Sequence, residues 1–296
     1  MGNVRQLEYY SISQEAAWSD GGSSFTGIAF DEYGVEPENT VSPQDKMTGV
    51  DDAQFVDITG QTLSGSVTSQ VWPDNATLLM ALGGLPRVSE LVPSFTAKMY
   101  DRAKNEYLIH YGLMCDTLKI SCSGSDPKLK FQYDLIGRDE QTVGSFAKAS
   151  LPAQAAWEFS DAAFTIAGAT ENNVIGFEIT IKNNLKPADA RDTSRRVKWI
   201  DTGRREIEVQ FTVRTDSTLG AHYRNLVRSR NTGIAFVVTF NYPGSGSPLD
   251  TLAFNIPTLV LSKAERQGAV ADIQSIQVTG TAKKPSASQA IIVSTS

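Results

Sequence analysis

Two histidines, His110 and His222, and two cysteines, Cys115 and Cys122, are the only imidazoles and thiols in the chain, so chemistry near neutral pH has few places to reside. Catalysis by a side-chain nucleophile needs a base within hydrogen-bond reach and a third group to orient that base. His110 lies in the alternating run YLIHYG, and His222 precedes Tyr223 in a helical segment. Single histidines in such settings are packing or surface residues. The sequence holds no HExxH, CxxC pair, GxSxG elbow or Walker loop. The glycines between Pro243 and Pro248 close a turn between strands and open no helix, so they do not cradle a phosphate. Asp51-Asp52 and Asp20-Gly21-Gly22 lack the alternating oxygen ligands of a calcium loop. These residues point away from an enzyme and imply no metal or organic cofactor.

The cysteines are seven residues apart on one expected strand. Odd spacing sends them to opposite faces, and about 23 Å of extended chain separates them, against a disulfide limit of roughly 7 Å between Cα atoms. Both are expected to be free packing residues.

Charge offers more than catalysis does. Arg191, Arg195, Arg196, Lys198, Arg204 and Arg205 cluster with Asp189, Asp192 and Asp201 in and beside the polar segment Leu185–Gly203. Such a run is either a solvated loop or a docking arm whose arginines pair with carboxylates on a neighbouring subunit. A second polar segment, Asp31–Asp52, carries Glu32, Glu36, Glu38, Asp45, Asp51 and Asp52 and reads as a projecting loop of opposite sign. Complementary loops suit head-to-tail stacking. The formal charge of −6, from 27 basic and 33 acidic residues, suits touching DNA without gripping it, because such affinity depends on Lys and Arg displacing counterions.

The elements that must position these residues are mostly strands. In Gly112–Gly137, Leu118, Ile120 and Cys122 alternate with polar residues, a Ser-Gly-Ser-Asp-Pro break follows, and Leu129, Phe131, Tyr133 and Leu135 fall on one face of a second run. This is a half-buried hairpin, and its shape returns in Leu249–Lys263 and Val270–Ala282. The preceding segments repeat as well: strand, long loop, long strand, short helix, in Asp74–Leu82 and again in Thr218–Ser229. The offset is about 140–150 residues, one domain length. The expected organisation is a domain at 1–140, a connector at 141–165 with a helical turn around Pro152–Phe159, and a second domain at 166–296. A composition of 41% hydrophobic and 20% charged residues is that of a globular protein. The longest apolar run, Ile234–Phe240, is far short of the ~20 residues a membrane span requires. No secretory signal opens the chain, so use without export and without a membrane is expected.

YGLMCDTLKISCSGSDPKLKFQYDLIGRD resembles the strand pair of tail tube (major tail) proteins of long-tailed, siphovirus-like bacteriophages. FEITIKNNLKP, a long loop and RREIEVQFTVRTD resemble the same family's strand, turn, loop and inner strand, and LEYYSISQEAAWSDGG its N-terminal segment. The resemblance implies a mainly β chain of two tandem β-sandwich or barrel-like tail-tube domains, each with a short α-helix and a long loop. It implies a structural virion protein that polymerises into stacked rings forming a hollow conduit for DNA ejection, made in the host cytoplasm and resident in the tail. Two tandem copies imply trimeric, pseudo-six-fold rings. Further implied partners are the tape-measure, tail-tip and tail-terminator proteins, and passing double-stranded DNA that is not specifically bound. On this view Glu206, Glu208, Gln210, Thr212 and Arg214 face the lumen, while Glu36, Glu38, Asp45, Arg191, Arg195, Arg196 and Lys198 belong to ring-stacking loops. The rival is a two-module β-sandwich that binds carbohydrate or acts as a tail-tip or baseplate component. Such modules display aromatic platforms, whereas Trp18, Trp72, Trp157 and Trp199 are scattered through the sequence.

Overall fold

Alternating sequence becomes strand throughout. A computed structural model describes residues 7–44, 55–86, 91–151, 153–188, 193–214, 217–228, 233–242, 250–267, 275–284 and 289–295. In chain order the first part holds β1 (Leu7–Gln14), β2 (Thr26–Gly27), β3 (Phe30–Tyr33), β4 (Glu36–Gln44), β5 (Phe55–Gln70), α1 (Ala76–Leu82), β6 (Phe95–Asp101), β7 (Glu106–Ser123), β8 (Lys130–Gly137) and β9 (Asp139–Val143). The remainder holds β10 (Ala162–Ile166), β11 (Ala169–Thr170), β12 (Val174–Lys182), β13 (Lys186–Pro187), β14 (Ile200–Asp201), β15 (Glu206–Arg214), α2 (Ser217–Arg228), β16 (Ile234–Asn241), β17 (Thr251–Gln267), β18 (Ser275–Ala282) and β19 (Ile292–Thr295). The protein is mainly β, as expected, and the ladders named below are antiparallel.

The pairing order is the same in both halves. Neighbours run β4-β5-β8-β7-β6-β1 in one and β12-β15-β18-β17-β16-β10 in the other. The helices recur in the same place, between β5 and β6 and between β15 and β16. A further ladder, from Thr117↔Lys182 to Ser123↔Gly176, joins β7 to β12 and makes one sheet of the two halves. The apolar side of that sheet carries Leu118, Ile120, Phe131, Tyr133, Ile179, Ile181, Val209 and Phe211, all buried in one core. The connector is no free linker, because Trp157 is fully buried and bonds to Val71 and Leu129 of the first half. Its helical turn is three residues, Phe159–Asp161, and β9 and β10 cover its expected ends.

Long β7 serves two sheet regions by bending at Gly112, whose φ of +65° lies in the left-handed region open to glycine. A Cβ there would meet the Trp18 ring at 3.0 Å. Buried Glu15 clamps the bend, accepting bonds from Gly112 N (3.0 Å), Thr96 Oγ1 (2.6 Å) and Ser19 N (2.8 Å). The Glu and Trp of the N-terminal segment therefore have structural work to do.

Two expectations require correction. Cys115 and Cys122 are free and both buried, but they do not fall on opposite sides of a regular strand. A bulge at Asp116 shifts the register between Cys115 and Thr117 and resets the alternation, so both point into the protein. The polar segment Asp31–Asp52 is no projecting loop over its described length, since β3 and β4 occupy much of it and pair with β5. A strand at a sheet edge is solvated along its side as well as on one face, which is why it reads as polar.

Asp116 also fixes the exit of β12. Its backbone carbonyl accepts from Asn183 N (2.7 Å) and its Oδ1 from Leu185 N (2.6 Å), while Asn183 Nδ2 reaches Cys115 O at 2.9 Å. Asp116→Ala strands a half-buried N–H, and we expect a loss of about 1–3 kcal/mol in chemical denaturation with an unchanged fold by circular dichroism. An unaltered denaturation midpoint would show that the bulge does not depend on this carboxylate.

Candidate functional site: a one-sided polar face

The side of the sheet opposite the core is polar across six consecutive strands. β15 contributes Glu206, Glu208, Gln210, Thr212 and Arg214, all half-buried or exposed, while Ile207, Val209, Phe211 and Val213 are buried. The same alternation places Ser66, Thr68 and Gln70 of β5 beside Lys130, Gln132 and Asp134 of β8. β7 adds Thr117, Lys119 and Ser121, β12 adds Glu178, Thr180 and Lys182, and β18 adds Gln277, Thr279 and Thr281. The rows are continuous: Gln132 faces Lys119, Lys119 faces Thr180, Thr180 faces Glu208 and Glu208 faces Thr281. Among the residues just named the face carries as many cations (Lys119, Lys130, Lys182, Arg214) as carboxylates (Asp134, Glu178, Glu206, Glu208). Lys119 and Glu178 pair at 3.4 Å. Burial, with Asp116 nearby, holds the Asp134 carboxyl above the ordinary range, while Lys119 opposes the shift. A shallow depression of about 260 Å³ beside Gly176 is lined by Ser121, Glu178, Gln210 and Thr212 among others. Hydroxyls, amides and balanced charge make the face wettable without a grip on a polyanion.

The expected stacking residues separate. Glu36 and Glu38 are exposed on β4, opposite Ser64 and Thr62, so they border the polar face. Arg195 and Lys198 are exposed in the segment after β13, and the backbone of that segment is docked on the first half. Gln61 N bonds Arg195 O at 2.9 Å, Trp18 Nε1 bonds Lys198 O at 2.9 Å, and Arg196 pairs with Asp139 at 2.8 Å. Val197 and Ile200 pack with Met114, Val92 and Leu185 in a small second core. Asp45 and Arg191 lie outside the described residues.

The imidazoles are apart from this face. His110 is fully buried, with Nδ1 2.5 Å from the Tyr33 hydroxyl and Nε2 2.7 Å from Glu140 Oε2. His222 is exposed on α2, its ring against Tyr223. Sequence reading found the β15 stripe but missed the flanking strands that extend it. Their alternation was legible, and their adjacency was not.

A family of phage tail tube proteins matches residues 9–294, almost the whole chain. The chain belongs to that family. No curated protein matches it. A tail tube protein is a structural component of the virion tail, and membership implies self-assembly into a tube with other tail proteins.

Burial pushes the Cys122 thiol up to about 12, with Asp126 adding to the shift, and raises the Cys115 thiol well above its usual range, with Asp116 adding. The folded chain thus holds both protons more tightly than the unfolded chain, whose thiols titrate near pH ~8.5. Their contribution to stability is whole below that pH and is lost as the pH climbs through the folded values. A thiol reagent at pH 8 should label neither cysteine in the native protein and both in denaturant. Rapid labelling of native protein would contradict this placement.

Proposed function

We propose that the chain is the repeating unit of a phage tail tube, with the polar face lining the lumen through which double-stranded DNA passes without specific binding. The single observation that carries the reading is the continuity of that face across the β7–β12 ladder, which presents a charge-balanced surface from both halves at once. The division into units at 1–140 and 166–296 is supported by the repeated order of ladders, and two such units per chain suit trimeric, pseudo-six-fold rings. Rings stack head to tail, a heterologous contact that continues without closing. Exposed Arg195 and Lys198, with Arg191 a few residues before them and Asp45 directly after β4 in sequence, are charges suited to the ring-to-ring contact. Tape-measure, tail-tip and tail-terminator proteins meet the two ends of the tube, and assembly takes place in the host cytoplasm.

Electron microscopy of the purified protein tests the reading, with hollow tubes or rings expected and discrete monomers overturning it. Glu206→Lys with Glu208→Lys should leave tubes intact and slow DNA ejection, because added cations on the lumen attract phosphate. Failure to assemble would remove these residues from the lumen.

A further inference from the structure

The lysines of the polar face each stand beside a carboxylate. Lys119 Nζ lies 3.4 Å from Glu178 Oε2, while Glu178 Oε1 accepts from Thr180 Oγ1 at 3.4 Å. Lys119 belongs to β7 and Glu178 to β12, so this pair crosses the ladder that joins the two halves. On the other flank Asp134 of β8 is near enough for Lys119 to oppose the rise of its carboxyl. Lys130 Nζ is 2.8 Å from Asp126 Oδ2 and 4.0 Å from Asp31 Oδ2, and Asp31 Oδ1 accepts from Gln70 Nε2 at 3.0 Å. The hydrogen bond to Asp126 raises the Lys130 ammonium above its usual range against the effect of burial, with the charges of Asp31 and Glu32 adding. Lys182 stands directly opposite Glu206, a spacing of about 5 Å between Cβ atoms.

Stability does not account for this pattern. The side chains of Lys119 and Glu178 are 39% and 37% exposed, and ion pairs so wetted contribute little to folding. Their effect on a passing charge is larger. Two opposite charges a few ångströms apart lie well inside the screening length of about 8 Å at physiological salt, so a phosphate approaching from solvent meets them as a near-neutral unit. A lysine displaces counterions from DNA by taking the phosphate as its partner. Here it would do so beside a carboxylate that repels the same phosphate.

We propose that Glu178, Asp126 and Glu206 act as shields, carboxylates that keep Lys119, Lys130 and Lys182 from gripping the phosphates of double-stranded DNA. The proposal rests on the reading of this face as the tube lining. It assigns the slack hold on DNA to particular pairs rather than to the net charge of the surface. The central pair requires both halves of the chain, since the cation comes from one and its shield from the other.

Glu178→Gln provides the test, read as binding of a short fluorescent DNA duplex to the full-length chain, diluted below assembly, at about 0.1 M salt. The amide keeps the size of the side chain and its acceptor for Thr180. One freed lysine adds one phosphate contact, so affinity should rise roughly tenfold and the slope of log K against log salt should steepen by about 0.9. Adding Lys119→Ala to Glu178→Gln should return both to the wild-type values. Glu106→Gln removes the same charge from the β6–β7 hairpin, beyond the bend at Gly112, and should leave binding unchanged. A Glu178→Gln chain that binds the duplex no more tightly than wild type, a gain that survives Lys119→Ala, or an equal gain from Glu106→Gln would overturn the shield and leave the tube reading standing. Wild-type protein that forms no rings or tubes would overturn the tube reading itself.

Discussion

The antiparallel ladder between β7 and β12 is the contact on which the rest of the structure depends. A strand edge exposes a row of unmet N–H and C=O groups, and a long flat edge invites pairing with any other chain. Here β7 already satisfies β8 on one side, and β12 satisfies the other from Thr117 to Ser123. The two halves consequently share one sheet and one continuous core, in which Ile120 faces Ile179 and both are fully buried. The Asp116 bulge, the Asn183 bonds and the bend clamped by Glu15 all serve to bring β7 to β12 at the right height.

A sheet buried on one side only has a consequence for function. Period-two alternation sends each apolar residue inward and leaves its neighbours on the opposite face, where their chemistry is free to vary. In this tail tube protein the freedom is used uniformly, with short hydroxyl and amide side chains and charges of both signs. On the proposed lumen reading, a surface along which a polyanion slides requires wetting without net attraction, and this composition fits that proposal. The loop between β13 and β14 shows the complementary economy: Arg196 and the backbone around Lys198 hold it against the first half, while Arg195 and the Lys198 side chain remain exposed at its surface.

Much of this was legible in the residues. The hairpin of β7 and β8, its echo in β17 and β18, the β15 stripe and both helices all follow from local periodicity, and each is found near its expected limits. Three features were not. The Asp31–Asp52 segment was too polar to read as strand, because an edge strand buries little and carries proline where its main chain faces out. The parity of Cys115 and Cys122 was lost because a bulge adds one residue without a compositional signature. The Arg196 partner was unreadable because Asp139 lies on a strand of the other half.

The sequence by itself determined the strands, the helices, the repetition and the resemblance to tail tube proteins, since each depends on the spacing of residue types within a dozen positions. Only the tertiary structure decided which strands adjoin and that one face is continuous over both halves. Strand pairing is made by backbone groups that all residues but proline share, so the local side-chain pattern alone does not say which strands adjoin. It is settled when distant segments are brought together over a common core.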